Sequence, residues 1–477
     1  MQKLILLKFF ILYFFYCKAQ NVGIGTSTPS EKLEVSGNIK TDTVKPAAIK
    51  LTPNAGTGKI LTSDALGNAQ WVQSSTTAGN VGYGLWGDCA TNGSISEYLP
   101  VADSATQPSA LLGRSVSVSG NFAFIGIPAL RVGVNSSQGA VIVYRYENNG
   151  WVYFSTLTDA AGAAGDQFGY SVCADGNYAI IGSYEDDIAA NSNQGSASIF
   201  QYNGTYWVFM QRLTDASGAA LDRFGASVSI AGNRAIVGAP YDDDGANFNE
   251  GSASIFQYNG ASWVLMTKLT HSSGATQDSF GFSVAISGDK AIIGSPFANN
   301  SSPAASDAGR ASIYHFNTTW IPVFDIPASD VTDDNEGYSV ALYNNYAVIG
   351  RPGRNSNAGD ALAYFFDGAN WLLLDTLTRP SVAAGDFFGS SVSISGNYIL
   401  IGAPKDDVSP NTDEGGVSLF TRIGNFWQQQ QYITDPAGST GNSGGTSVAI
   451  DGASKRFIIG VPGAFDSRGK ALFGKVN

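Results

Sequence analysis

The chain has 477 residues, of which 57 are glycine, 12% are aromatic and only 14% are charged. That balance excludes a disordered polymer and a single simple core, and fits a large all-β repeat domain with an accessory segment. A formal net charge of −12 disfavours nucleic acid and anionic membrane as partners.

The first element is residues 1–19. Lys3 and Lys8 precede and interrupt an apolar run from Leu4 to Tyr16, and Cys17-Lys18-Ala19 ends in a small residue. This pattern is expected to be a secretory signal cleaved after Ala19, which makes the protein secreted or displayed on the outer cell surface. A lipoprotein anchored through Cys17 is the alternative, opposed by the bulk of Phe15 and Tyr16. The apolar run is shorter than a bilayer span requires. Cleavage removes three lysines and no acid, so the net charge moves from −12 to −15. Cys89 and Cys173 then remain, too few for a disulfide framework.

Residues 20–72 carry Asn21-Val-Gly-Ile-Gly-Thr26, Pro29-Ser-Glu-Lys-Leu-Glu-Val35 and Gly58-Lys-Ile-Leu-Thr-Ser63. These resemble stalk segments of bacterial surface and phage tail-fibre proteins. The resemblance implies interwoven β structure and a homotrimer. Residues 73–93 are a Ser/Thr/Gly-containing linker.

From residue 94 onward the chain repeats. Asp166-Gln-Phe-Gly-Tyr-Ser-Val172 returns as Asp222-Arg-Phe-Gly-Ala-Ser-Val228 and Asp278-Ser-Phe-Gly-Phe-Ser-Val284. The motif glycine recurs as Gly113, Gly169, Gly225, Gly281, Gly337, Gly389 and Gly445. A second glycine, at the end of an apolar strand, recurs as Gly126, Gly182, Gly238, Gly294, Gly350, Gly402 and Gly460. Each unit is expected to hold four short strands, with tight turns such as Ala231-Gly-Asn233 and Asn259-Gly260. In the fourth strand, Trp207 and Leu213 lie six residues apart, as do Trp263 and Leu269, so strict alternation puts both on one face.

Four antiparallel strands cannot cover both of their own faces, and stacking seven units radially does so. The expected fold is an all-β, seven-bladed β-propeller spanning residues 94–477. The last unit ends at its third strand. Residues 94–103 are expected to supply the missing fourth, with Ile95 in the tryptophan position and Val101 in the leucine position. The guide is Asp103, which stands ten residues before Gly113 as Asp159 does before Gly169.

Phe-Gly-x-Ser-Val followed by Ile-Gly-Ala-Pro is similar to the FG-GAP repeat of integrin α-subunits and bacterial secreted proteins. Gly238-Ala-Pro-Tyr-Asp-Asp243 with Gly251-Ser-Ala253 carries the likeness best. Integrin-type propellers hold calcium in an Asp-x-Asp-x-Asp-Gly loop between the first two strands. Here those connections are tight turns with too few oxygens, so those sites do not carry over.

The acids gather instead in the 2–3 loops. Asp186, Asp242, Asp244, Glu250, Asp406 and Asp413 are the calcium candidates, since hard cations want several oxygens around one point. Ordinary turn chemistry is the competing account. The regular acids before the motif glycine (Asp159, Asp215, Asp435; Asp166, Asp222, Asp278, Asp386) are expected to brace the 4–1 loops. The repeated tryptophans are expected to pack between blades. His271 and His315 have no metal-spaced partner, and no nucleophile elbow or phosphate loop is present. No catalytic residue and no cofactor other than calcium is indicated. The sequence thus points to a binding or adhesion module that recognises an extracellular protein or glycan through the long-loop face. A structural component of an extracellular assembly and a propeller-based polysaccharide hydrolase are the alternatives.

Overall fold

The computed structural model describes residues 22–24, 33–35, 59–63, 69–73, 90–96 and 109–476, except 244, 246, 302–303, 327–330 and 425. The expected signal segment, Cys89, Val101, Asp103 and Asp244 lie outside these. The chain divides into two compact units, Met1–Val81 and Gly82–Asn477. In the first, Val22–Ile24 pairs in parallel with Leu33–Val35, and Lys59–Ser63 pairs antiparallel with Ala69–Gln73.

The second unit is a seven-bladed β-propeller of seven four-stranded antiparallel sheets. Blade 2 is typical: Ser171–Asp175, Tyr178–Ser183, Ser196–Tyr202 and Trp207–Leu213 lie side by side in chain order. The second strand reads Tyr-Ala-Ile-Ile-Gly-Ser without alternation, because neighbouring blades cover both of its faces. The innermost strands touch one another in sequence around the ring, and Ser447–Asp451 of blade 7 returns to Val116–Ser119 of blade 1.

Each fourth strand contains a β-bulge that the sequence pattern hides. Phe200 pairs with Phe209, but Ile199 pairs with Gln211, so Met210 is the extra residue. The bulge breaks the alternation between Trp207 and Leu213 and sends them to opposite faces. Trp207 packs with Phe124, Val141 and Phe168 at the interface of blades 1 and 2, whereas Leu213 packs with Phe224, Val228 and Val237 at the next interface. The same split holds for Trp263 and Leu269, and for Trp371 and Leu377. The shared face expected from six-residue spacing is therefore corrected. One strand anchors two interfaces, and the tryptophans are packing residues, as expected, buried to 3–8% exposure at Trp207, Trp263, Trp320, Trp371 and Trp427.

The two recurring glycines meet across every blade interface. A Cβ on Gly238 would collide with the backbone oxygen of Gly281, and one on Gly460 with that of Gly113. Beside them, the serine of the Phe-Gly-x-Ser motif donates its hydroxyl to the next motif glycine. Ser171 Oγ reaches Gly225 O at 2.8 Å, Ser227 reaches Gly281 O at 2.7 Å, and Ser447 reaches Gly113 O at 2.8 Å. The last of these closes the ring. Apolar packing closes it too, with Ile458 and Phe473 of blade 7 against Ile125 and Ile142 of blade 1.

Blade 7 is completed from the N-terminal side, in a register that differs from expectation. The strand is Ala90–Ser96, and Ile95 pairs with Ala471. Ala471 is the counterpart of Ala197, which pairs with Leu213. Ile95 therefore takes the leucine position, not the tryptophan position. Leu213 precedes Gly225 by twelve residues, whereas Ile95 precedes Gly113 by eighteen. The connection into blade 1 is six residues longer than those into blades 2, 3, 4, 6 and 7, so the spacing anchored on Asp103 placed the strand too late.

One buried position departs from the repeat with a clear compensation. The motif phenylalanines Phe168, Phe224, Phe280 and Phe388 are buried at blade interfaces, but blade 5 carries Glu336 there. Arg351 lies 3.7 Å from it and binds Asp360 through two 2.8 Å hydrogen bonds, while Arg354 pairs with Asp334 at 2.6 Å. Three acids share two guanidinium groups, and Glu336 is the surplus charge. Burial pushes its carboxyl up to about 8, opposed by Arg351. A folded pKa above the unfolded value near 4.5 gives stability that is complete below about 4.5 and is lost as pH rises through about 8. Glu336→Gln is expected to match the parent at pH 5 and to exceed it at pH 9 by on the order of a few kcal/mol. Thermal melts at the two pH values check this; a difference that does not change with pH would show Glu336 ionised throughout.

Candidate functional site

The 2–3 and 4–1 loops share one end of the propeller, and their acids are engaged mostly beneath that surface. Asp186, Asp242 and Asp406 are buried. Asp186 accepts from Ser196 Oγ at 2.5 Å and pairs with Arg212 of the fourth strand. Asp242 pairs at 2.5 Å with Lys268, which also reaches Asp215 at 2.8 Å. Asp406 accepts from Arg379 and from Tyr432. In blade 4 the polarity is exchanged: Ala298 stands at the aspartate position, Arg310 begins the third strand, and Asp325 takes the place of Arg212 and Lys268.

Glu250 is buried as well, and accepts from Asn247 Nδ2 at 2.6 Å. In blades 1 and 2 its place is held by neutral Gln138 and Gln194, bonded to Asn135 and Asn191 in the same way. That equivalence assigns Glu250 to a loop latch. Asp413 is half-buried at the rim beside Lys405 at 3.3 Å, and its backbone N–H donates to Asp407 Oδ1. Asp187 and Asp243 accept from the N–H of Asn193 and Asn249 in the same arrangement. Among the described residues, no three His, Cys, Asp or Glu side chains gather where they could hold a metal ion. The sequence shows the acids but not their cationic partners: Arg212 and Lys268 stand 26 residues after Asp186 and Asp242, and Arg379 stands 27 residues before Asp406.

The regular loop acids bind backbone. Asp215 Oδ1 accepts from Ser217 N at 2.8 Å, and Asp222 Oδ2 from Ala219 N at 2.6 Å. His271 copies the first of these, its Nδ1 accepting from Ser273 N at 3.2 Å. Cys173 sits on an innermost strand, its thiol 4.0 Å from Ser229 Oγ, and burial pushes the thiol's pKa up.

A different cluster occupies the mouth of the central channel on the long-loop side. It is built from the variable residue of Phe-Gly-x-Ser, which stands at the entrance of each innermost strand, and from the start of each 2–3 loop. Arg114 NH2 donates to the Tyr170 hydroxyl at 2.8 Å, with its guanidinium 4.4 Å from that ring's centre. Tyr170 stacks on Tyr184 at 3.8 Å, and Arg223 lies 5.4 Å from the Tyr184 ring and 4.9 Å from Tyr241. From the other side, Phe282 meets Phe297 at 5.6 Å and Tyr338 at 5.0 Å. The Tyr338 phenol feels the charge of Arg114 and the phenols of Tyr170 and Tyr241, which brings blades 1, 2, 3 and 5 together across the mouth. Tyr338 as a residue is 36% exposed, yet its hydroxyl end is enclosed by this ring, and burial pushes its pKa up.

The mouth is asymmetric. Blades 6 and 7 place Ser390 and Thr446 at the variable position, each spending its hydroxyl on a carbonyl of its own loop. The residue just before the motif phenylalanine adopts positive φ in blade after blade, at Gln167, Arg223, Ser279 and Phe387. This left-handed conformation favours glycine, so side chains are kept there against a local cost. Sequence reasoning passed over the aromatic cluster because its members lie 14 to 168 residues apart. The signal was present, however, as Arg, Tyr, Phe and Tyr at one variable position of an otherwise regular motif.

A closed ring of seven repeats with one chemically uneven end is a repeat-built display scaffold. The FG-GAP repeat model matches residues 151–200, 207–256, 263–314 and 371–420, each match running from one blade's fourth strand to the next blade's third. With the seven blades, these matches make the chain an FG-GAP repeat protein. No curated protein matches it.

Proposed function

We propose that this protein is a secreted or cell-surface binding module that recognises an extracellular protein or glycan through the long-loop face. The observation that carries the reading is the channel mouth. Seven equivalent positions are held in one geometry, and five blades load them and their flanks with aromatic and guanidinium groups at half-exposed depth. Partly exposed aromatics backed by a rigid scaffold are typical of recognition surfaces. We read the propeller as non-catalytic, because the buried loop acids Asp186, Asp242 and Asp222 are occupied by arginine, lysine and backbone N–H groups. The localisation rests on the residue pattern of positions 1–19.

The test is a glycan and protein binding screen of the full chain, run with calcium and with chelator. Binding is expected to survive the chelator and to fall in Phe282→Ala/Tyr338→Ala. A signal unchanged in that double variant would move the site off the mouth.

A second reading, a structural component of an extracellular assembly, is favoured by an apolar belt on the outermost strands. Val208 and Phe209, Val264 and Leu265, and Leu372 and Leu373 are all exposed. Exposed apolar surface of this extent marks association surfaces. Homotrimerisation through residues 20–72 belongs to this reading, and light scattering with and without that segment distinguishes it.

A further inference from the structure

Resting on the channel mouth as the binding site, we propose that its ligand is an anionic saccharide whose acidic group pairs with Arg114 while its ring faces lie on Tyr338, Phe282 and Tyr170. Three observations carry the assignment. Arg114 has a tyrosine hydroxyl and a tyrosine ring as its partners, and among the described residues no carboxylate pairs with it. On this chain of net charge −12, Arg212, Arg351, Arg354 and Arg379 pair with acids, whereas Arg422 and Arg456 lie on aromatic rings as Arg114 does; of these three ring-bound guanidinium groups, Arg114 is the one at the channel mouth. A guanidinium held against an aromatic face keeps its planar donors free for a carboxylate or sulfate.

The aromatics are also already supplied with cations from within the chain. Arg114 lies over Tyr170, and Arg223 lies between Tyr184 and Tyr241, with Glu185 3.8 Å away and held by Gln167. A ligand cation entering this ring would meet two guanidinium groups, so the cluster selects against positive charge. A purely apolar ligand would leave Arg114 desolvated and without an anion, which is costly.

The third observation is shape. The aromatic arc from Tyr170 to Tyr338 faces the low side formed by Ser390 and Thr446, whose hydroxyls are turned into their own loops. An extended chain can enter over that low side and rest on the arc. Saccharide rings present C–H faces to aromatic rings and polar groups at their edges, which suits alternating tyrosine, phenylalanine and arginine. The acidic protein as a whole repels an anionic polymer, but exposed charges beyond about 8 Å are screened at physiological salt, so the local guanidinium decides.

Calorimetry on the full chain tests this with three probes: oligogalacturonate, sulfated dextran oligomers and neutral dextran oligomers. One of the two anionic probes is expected to bind and the neutral probe to fail, and the anionic arm that binds distinguishes carboxylate from sulfate. Raising the salt is expected to weaken binding. Arg114→Gln and Tyr338→Ala are each expected to weaken it at least about 10-fold, with melting temperatures unchanged. Phe209→Ala, on the outer belt, serves as the control and is expected to bind as the parent does. Binding of the neutral probe that is lost in Tyr338→Ala but kept in Arg114→Gln would overturn the anionic assignment and leave the mouth as the site. Anionic binding unchanged in both mouth variants would overturn the assignment together with the site. Binding of none of the probes, alongside a protein ligand captured at the mouth, would overturn the saccharide.

Discussion

Deleting residues 1–96 is expected to give a propeller that still folds but self-associates, whereas deleting residues 1–81 leaves a monomeric ring. The longer deletion removes the strand Ala90–Ser96, which pairs with Lys470–Lys475 at five register positions. At about 1 kcal/mol for each ladder hydrogen bond, the loss amounts to about 5 kcal/mol. It also bares Lys470–Lys475 as a raw sheet edge, and such edges template pairing with another chain. The ring itself is held by a second closure that the deletion leaves in place. The Ser447–Gly113 hydrogen bond and the packing of Phe473 and Ile458 on blade 1 do not involve residues 90–96. Circular dichroism melts and light scattering on the two truncations check the expectation. Equal mass and equal melting temperature would show that the N-terminal strand does not carry the blade.

The second large effect is expected at the glycine contact between blades. Gly238→Ala places a methyl group against the backbone carbonyl of Gly281; Gly238 is held by its strand pairing with Ser227 and Gly281 by its N–H bond to Gly294 O at 3.1 Å, so neither backbone can withdraw without breaking one of these. Overpacking of backbone on backbone is expected to cost about 3 kcal/mol or more. Gly232→Ala is the comparison. This glycine sits at φ 57° in the 1–2 turn with nothing within 4 Å of the new methyl, so only the left-handed conformation is strained. About 1 kcal/mol is expected there. Denaturant melts of both variants measure the ratio. Similar losses would mean that the blades are not in contact at the glycine pair.

Both effects rest on features that differ in how far the chain displays them. The glycine anchors, the serine after them and the tight turns recur at nearly constant spacing, so repeat number, strand number and radial stacking were legible from local pattern. What the pattern could not supply was register and partnership. The bulge at Met210 leaves the Trp207–Leu213 spacing even, so alternation seemed intact although the two side chains part to different interfaces. The closing strand was expected from the incomplete last unit, but a six-residue insertion in its connection defeated spacing as a guide to register.

The candidate sites divide in the same way. Runs of aspartate are visible one after another, and oxygen-rich loops suggest cations. The structure instead gives Asp186 to Arg212 and Asp242 to Lys268, each pair joined by folding the fourth strand back beside the 2–3 loop, and Asp406 to Arg379 of the 4–1 connection that enters its blade. The aromatic mouth is the converse case. Arg114, Tyr170, Phe282 and Tyr338 carry no local signature, and they become neighbours because equivalent positions of successive blades converge on one axis.

By itself, then, the sequence determined the blade: its four strands, its recurring glycine anchors and its seven-fold repetition, all carried by a local pattern that returns unit after unit. Only the tertiary structure decided what the blades make together. The register of ring closure, the partners of the loop acids and the asymmetric mouth each depend on groups from different strands or blades, and a one-dimensional pattern encodes the equivalence of such positions without encoding their convergence.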